Sequence, residues 1–266
     1  MNDSILKPET LVMVTGGGGF LGKAIVKQLL TKGCKVRSYA RGAYPELVQM
    51  GVDVRQGDLG DVETLRKAFE GCKLIFHVAA KPGVAGPYEE YHRINTVGTE
   101  KVIAACRALK IQRLVYTSSP SVIFNGTDME NVDETVPYPD HYEAHYPQTK
   151  ALAEKAVLAA NSQELATTSL RPHLIWGPGD NHLIPRLVRA QKLGRLKQVG
   201  DNKNKVDTAY VDNAAEAHLL AADHLYFGTP PAGKAYFISD GDPRLCWDVV
   251  NMIMDAAGLP PVKDTI

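Results

Sequence analysis

No charge imbalance, no cysteine cluster and no long apolar run marks this chain. Its 30 basic and 30 acidic side chains cancel over 266 residues. No run of like charge stands out, so neither a nucleic-acid footprint nor a polybasic membrane patch is expected. The four cysteines, Cys34, Cys72, Cys106 and Cys246, lie far apart and at neither metal nor redox spacing. Each reads as an apolar filler, and no metal site is expected. Nothing approaches ~18 uninterrupted apolar residues, which argues against a transmembrane segment. The N-terminus carries Asp3 and Glu9 without an apolar core, unlike a secretory leader, so a cytoplasmic location is expected. Internal repeats and low-complexity tracts are also missing. The length suits one large domain, or a nucleotide domain with a smaller companion.

What is there begins at Leu11. Leu11-Val12-Met13-Val14 is a short apolar run of the kind buried in parallel sheets. Thr15 and four glycines follow, and then residues 20–30 have helical apolar spacing. Strand, glycine turn and helix together form a dinucleotide-site pattern: the turn admits phosphate to the backbone, and the helix N-terminus offers it unpaired N–H groups. Gly17/Gly19/Gly22 fits G-x-G-x-x-G, whereas Gly16/Gly19/Gly22 fits G-x-x-G-x-x-G. Gly16, Gly19, Phe20, Leu21 and Gly22 are the candidate contacts.

A second strand spans 34–40. An acid near its end commonly selects NAD by bonding the ribose 2′-OH, yet none lies between Cys34 and Pro45. Arg41 stands there instead, and a guanidinium suits the 2′-phosphate of NADP. NADP is therefore the expected cofactor, with NAD second. Further strands are expected at 52–59, 73–80, 113–117 and 167–171, with small residues Val78, Ala79 and Ala80 where a cofactor would meet the backbone. A helix is expected over 91–109, carrying Asn95. This alternation predicts an α/β fold, a Rossmann-type doubly wound parallel sheet with ligands beyond the strands' carboxyl ends.

The fifth strand delivers Ser118, Ser119 and Ser121 to that edge. A helix follows the loop 128–146, with Pro147 in its first turn. Tyr146 and Lys150, four apart, share one face. Of 11 tyrosines, only Tyr146 has a lysine at that offset. Moving a phenol from ~10 to ~7 needs roughly 4 kcal/mol of preference for the phenolate. A neighbouring ammonium and an oxidised nicotinamide can supply it. His77 reads as an ordinary strand side chain.

Residues 1–177 are thus expected to form the NADP-binding domain, with 206–228 packing back onto it. Residues 178–266 are expected to form a smaller α/β substrate-binding region. Its elements are a helix near 183–193, strands near 196–200 and 206–209, a helix over 213–225 capped by Asp212, a strand at 235–238 and a helix over 247–257. His173, Trp176 and Trp247 are candidate pocket residues. The second half lacks an arginine cluster for a diphosphate, since Arg186, Arg189, Arg195 and Arg244 are scattered. Leu174, Ile175, Trp176, Leu183, Ile184 and Leu187 offer apolar surface instead. A small hydrophobic substrate is the expected partner.

Taken together, TGGGGFLG (15–22), GDL (57–59), Asn95, YTSSPSV (116–122), YPQTK (146–150) and RPHLIWGPG (171–179) resemble the extended short-chain dehydrogenase/reductases. LAEKAVLAAN (152–161) and SSPSV look like the 3β-hydroxysteroid dehydrogenase branch. PELVQMGV (45–52), LIWGPGD (174–180), GDNKNKVDTAYVDNA (200–214) and GKAYFISDGDP (233–243) look like its group of bacterial 2-alkyl-3-oxoalkanoate reductases of olefin biosynthesis. The resemblance implies an oxidoreductase that interconverts 3-oxo and 3-hydroxy groups, a 2-alkyl-3-oxoalkanoate coming before a 3β-hydroxysteroid or sterol-4-carboxylate. Tyr146 would be the general acid/base, Lys150 would hold the nicotinamide ribose, Ser119 would orient substrate and Asn95 would support the proton relay. Asp58 and Leu59 would flank adenine, and Pro172 and His173 would sit beside the nicotinamide. Family members usually continue some tens of residues past Ile266, and a homodimer is possible. Nucleotide-sugar dehydratases share the frame but carry acids where Pro120 and Ser121 stand. A non-catalytic NADP-binding regulator should lack the Tyr/Lys pair.

Overall fold

The apolar run after Thr10 becomes β1, Leu11–Thr15, in which Val12, Met13 and Val14 have no solvent contact. In this computed structural model, residues 4–83, 85–263 and 265 are described. Met1 and Ile266, the outer limits of the two expected regions, lie outside the described residues. Helix α1, Phe20–Thr31, follows the glycine turn and buries Leu21, Ala24, Ile25, Val26 and Leu29. Alternation continues through β2 (Lys35–Ala40), α2 (Pro45–Gln49), β3 (Asp53–Gln56), α3 (Val62–Phe69) and β4 (Leu74–His77). Sequence pattern alone does not mark α2 or α3. The latter starts at Asp61, whose carboxylate accepts from the Glu63 and Thr64 amides at 3.2 Å.

The expected helix over 91–109 is three pieces: α4 (Tyr88–Tyr91), a π-helical segment (His92–Val97) and α5 (Gly98–Ala108). Then come β5 (Arg113–Thr117), a 3₁₀ turn (Pro120–Ile123), α6 (His145–Ala159) and β6 (Ala166–Pro172). Strand β6 is buried along its whole length although four of its residues are polar. Each of the four has a partner: Thr167 bonds Val157 O, Thr168 bonds Lys234 O, and Ser169 and Arg171 bond Glu154, although the Arg171 Nη1 is left without one.

The remainder comprises β7 (Leu174–Trp176), α7 (Leu183–Lys192), β8 (Lys205–Val206), β9 (Thr208–Tyr210), α8 (Val211–His224), β10 (Ala235–Ile238), β11 (Arg244–Leu245) and α9 (Cys246–Ala256). Two expectations fail here. Residues 196–200 form no strand: Gln198 makes only an isolated bridge with Thr265 and turns back to Gly200 O, because no extended partner lies alongside. Asp212 does not cap α8, which begins at Val211, two residues before the expected start. Tyr210 holds the cap position without a side-chain bond, and Asp212 lies within the first turn, its carbonyl accepting from Gln28.

The main sheet is parallel, in the order β10-β6-β5-β4-β1-β2-β3. Helices α1 and α8 pack together over one face, and α3, α5 and α6 over the other. The C-terminal stretch therefore gives the large sheet both α8 and an edge strand. Around it β7 pairs with β9, β8 with β11, and α7 packs on α9. Strand order reverses between β1 and β4, and loops leaving a sheet on either side of such a point diverge to leave a crevice. No helix among the described residues is long and apolar enough to cross a membrane.

Candidate active site

A cleft of about 670 Å³ opens at the carboxyl ends of the strands, between the loops that follow β1 and β4. Gly16 turns the chain there at φ +71°, and a Cβ on it would lie 2.9 Å from the Ala79 backbone. A Cβ on Gly22 would sit 2.2 Å from Gly16 O, so α1 can approach the turn only with glycine there. Gly17 faces inward, toward Ser38 and Val26. Of the two readings of the glycine motif, the set on the cleft is thus Gly16, Gly19 and Gly22. Helix α1 has no side-chain cap at Gly19 and no acid in its first turn. Its leading amides and positive dipole end are left to an anion, which fits the pyrophosphate of a dinucleotide.

Phe20, Leu21, Arg41, Asp58, Leu59, Val78, Ala79 and Ala80 line the same half. Asp58 bonds the Gly60 amide and Arg93, and Leu59 packs on Gly98, where a Cβ would be crowded at 3.1 Å. Tyr44 is a lining residue that sequence reasoning missed. Its backbone is left-handed, φ 43°, and its ring lies so close to Gly18 that a Cβ there would overlap it at 2.3 Å. Nothing in the local sequence signals that contact, which joins two loops.

The other half holds Ser119, Tyr146, Lys150, Pro172 and His173, with Ser118 and Ser121 beside them. Ser119 ends β5's extension and accepts from the Ser121 amide at 3.2 Å, while the two hydroxyls lie 2.8 Å apart. Burial raises the Tyr146 phenol, and a hydrogen bond with Ser119 opposes that. Lys150 is 2% exposed, donates to Thr117 O at 2.6 Å and lies 4.2 Å over the Tyr116 ring. Burial lowers it to about 7, against the pull of Glu154. His173 is also lowered by burial, with Asp207 opposing.

Asn95 does not line the cleft. It is buried in the π-helical segment, where its side chain accepts from Lys81 N (2.7 Å) and donates to Lys81 O and Thr149 Oγ1. It thereby ties the loop after β4 to the helix of Tyr146 and Lys150. His77 lies behind the site with no exposure, bonded to Thr15 (2.7 Å) and Thr99 (2.9 Å). Thr99 donates to Asn95 O, so it must accept from His77 Nε2–H; Thr15 accepts from two amides and so donates to Nδ1. Those bonds fix one neutral tautomer, and burial keeps it neutral down to about 3.

The expected apolar surface is only partly present. Leu174, Ile175 and Leu183 line the cleft, whereas Trp176 packs edge-on against Tyr210, and Leu187 and Trp247 join the α7–α9 core. Among the described residues no group of histidine, cysteine, aspartate or glutamate is placed to hold a metal ion.

Residues 13–265 match the model of the 3-beta hydroxysteroid dehydrogenase/isomerase family. The 2-alkyl-3-oxoalkanoate reductase of Stenotrophomonas maltophilia is 50% identical, over 96% of this chain and 78% of its own. A decarboxylating sterol-4-alpha-carboxylate 3-dehydrogenase of Bos taurus is 39% identical, over 91% of this chain and 68% of its own. Among solved structures, MoeE5 in complex with UDP-glucose and NAD superposes with a TM-score of 0.78 at 28% identity, covering 96% of this chain and 84% of MoeE5.

Proposed function

The chain belongs to the 3-beta hydroxysteroid dehydrogenase/isomerase family, and from that premise we infer that it reduces a 3-oxo group on a 2-alkyl-3-oxoalkanoate with NADPH. One observation carries the reading: Ser119, Tyr146 and Lys150 converge on a single cleft, opposite a glycine turn and a helix N-terminus fitted to a dinucleotide.

Gly16, Gly19, Gly22 and the leading amides of α1 would hold the pyrophosphate, with Asp58 and Leu59 at the adenine and Arg41 at the ribose 2′-phosphate. Lys150 would take the nicotinamide ribose, and Val78, Ala79, Ala80, Pro172 and His173 would flank the ring. When bound, the reduced cofactor supplies a hydride to the carbonyl carbon. Tyr146 gives its phenolic proton to the carbonyl oxygen, and the Ser119 hydroxyl holds that oxygen in place. A phenol raised by burial is protonated at neutral pH, the state a donor needs. Asn95 supports the return of the proton by fixing Thr149 against the first turn of α6.

A 3β-hydroxysteroid or sterol-4-carboxylate dehydrogenase is the second reading, favoured by the bovine relative. Cofactor turnover with 3-oxoacid, steroid and nucleotide-sugar panels tests both. Fastest reduction of the 3-oxoacid is expected; faster oxidation of a 3β-hydroxysteroid would put the second reading first, and turnover of nucleotide sugars alone would overturn both.

A further inference from the structure

Two charged side chains lie on the buried face of α6, one turn apart: Lys150 and Glu154. Lys150 reaches the cleft, but Glu154 does not, and it has no exposure at all. Its carboxylate is fully engaged. Arg171 of β6 grips it through Nη2 at 2.7 Å and Nε at 3.1 Å, Ser169 donates at 2.6 Å, and Tyr138 donates from the loop before α6 at 2.7 Å. Along α6 this locked carboxylate stands a single turn behind the lysine, and neither side chain is open to water. We propose that Glu154 is a positioning residue for Lys150: a carboxylate locked one helical turn behind the amine, whose charge favours the cationic form of that lysine in a water-poor cleft. The inference rests on the ketoreductase reading, in which Lys150 must be an ammonium to hold the ribose.

The surroundings of Lys150 leave Glu154 as the anion that acts on it. Toward β4 stands His77, neutral and twice bonded. On β5 lie the Thr117 carbonyl and the Tyr116 ring, whose phenol burial holds far above its ordinary range. On α6 itself Tyr146 is likewise raised by burial. Around Glu154, Tyr138 and Tyr142 are raised by burial and by Glu154 itself, and Lys155 lies over the Tyr138 ring. Burial alone would raise Glu154, but the hydrogen bonds and charge of Arg171, with Ser169 and Tyr138, bring it below the ordinary carboxylate range. It is therefore an anion throughout the range in which Lys150 titrates. The same anion opposes the burial that draws Lys150 down.

The test reads the lysine directly. In cofactor-free protein carrying ¹³C-labelled lysine, the Lys150 side-chain resonance is identified by its loss in Lys150→Met and followed against pH. Glu154→Gln should move its midpoint down by about one unit, a tenfold change in ionisation constant. Because that variant leaves Arg171 buried and unpaired, Glu154→Leu/Arg171→Met is measured as well; apolar replacement of a whole buried pair is generally tolerated. It should move the midpoint in the same direction by a smaller amount. NADPH affinity, measured by fluorescence, should fall with rising pH earlier in both variants than in the parent and recover at lower pH. A midpoint unchanged or raised in a folded variant overturns the proposal and leaves Glu154 a structural pin. If the chain proved to bind no nicotinamide nucleotide, the affinity arm would be flat in the parent too, and the lysine midpoint would still decide.

Discussion

In the proposed reduction Tyr146 would be the proton donor, and burial, which raises its phenol, favours the protonated state that this needs. Tyr146→Phe removes only the phenolic oxygen, so turnover should fall by at least ~100-fold, the usual scale for a general acid. NADPH affinity, measured by fluorescence titration, should stay nearly unchanged. Lys150→Ala should lose both, since in the proposed site that side chain would serve the ribose and the site's charge; a Phe variant with near-parental turnover would displace Tyr146 from the proposed role. Deeper residues govern pH stability. His77 and His218 titrate near 6.5 when unfolded, but burial holds them at about 3 and about 4 in the fold. The unfolded chain therefore binds more protons below pH 6.5, and stability drops as pH falls from there toward 4. At pH 5 the loss is roughly 2 kcal/mol per histidine. Urea midpoints measured at pH 7.5 and pH 5 should differ accordingly, and the gap should narrow in His77→Gln/His218→Gln. Lys150 acts in the same direction higher up: its burial makes stability rise from about pH 7 to 10.5.

At the scale of elements, the end of β2 and the loop beyond it bear on cofactor choice. Ala40 and Arg41 both line the cleft, and no acid stands there to accept from a ribose 2′-OH. Substrate-free affinities should favour NADPH over NADH, and Ala40→Asp/Arg41→Ala should reverse the order; equal or tighter NADH binding by the parent would refute the preference. Gly16→Ala should abolish binding of both nucleotides, because a Cβ there meets the Ala79 backbone at 2.9 Å in a left-handed conformation. The strand–turn–helix unit around Gly16 was legible in sequence because its determinants are local: an apolar run, four glycines, helical spacing. Its glycine register was not, since it depends on Ser38 of β2 and on Ala79 in the loop after β4. The same holds for Asn95. Helical spacing placed it on a continuous helix, but its bonds to Lys81 and Thr149 belong to a π-helical segment shaped by neighbouring elements. Strand 196–200 was misread because apolar content cannot supply a pairing partner. Glu154 and Tyr44 escaped notice altogether, because what locks each in place comes from residues distant in sequence: Tyr138, Ser169 and Arg171 around Glu154, and Gly18 against Tyr44.

For the whole molecule, the question is what the open end of the cleft selects. The half proposed for the cofactor draws on loops from both sides of the sheet's reversal point, and the cleft's far end on β7 and the start of α7 in the C-terminal stretch. Leu174, Ile175 and Leu183 line that end, with Leu174 41% exposed and so available to a ligand. Asp180 is occupied there, accepting from the amides of His182, Leu183 and Ile184. Pro120 and Ser121, beside Ser119, offer no carboxylate for dehydratase chemistry. An alkyl chain laid on this surface gains ~0.8 kcal/mol for each methylene it buries, close to fourfold in binding. Specificity, as kcat/KM on a series of 3-oxoacids, should therefore climb with chain length until the apolar surface is covered and then level. Leu174→Ser and Leu183→Ser should flatten the climb for long substrates while sparing short ones, because the apolar contact is lost and the reacting groups are untouched. Flat or falling specificity with length in the parent would rule out an apolar acyl site.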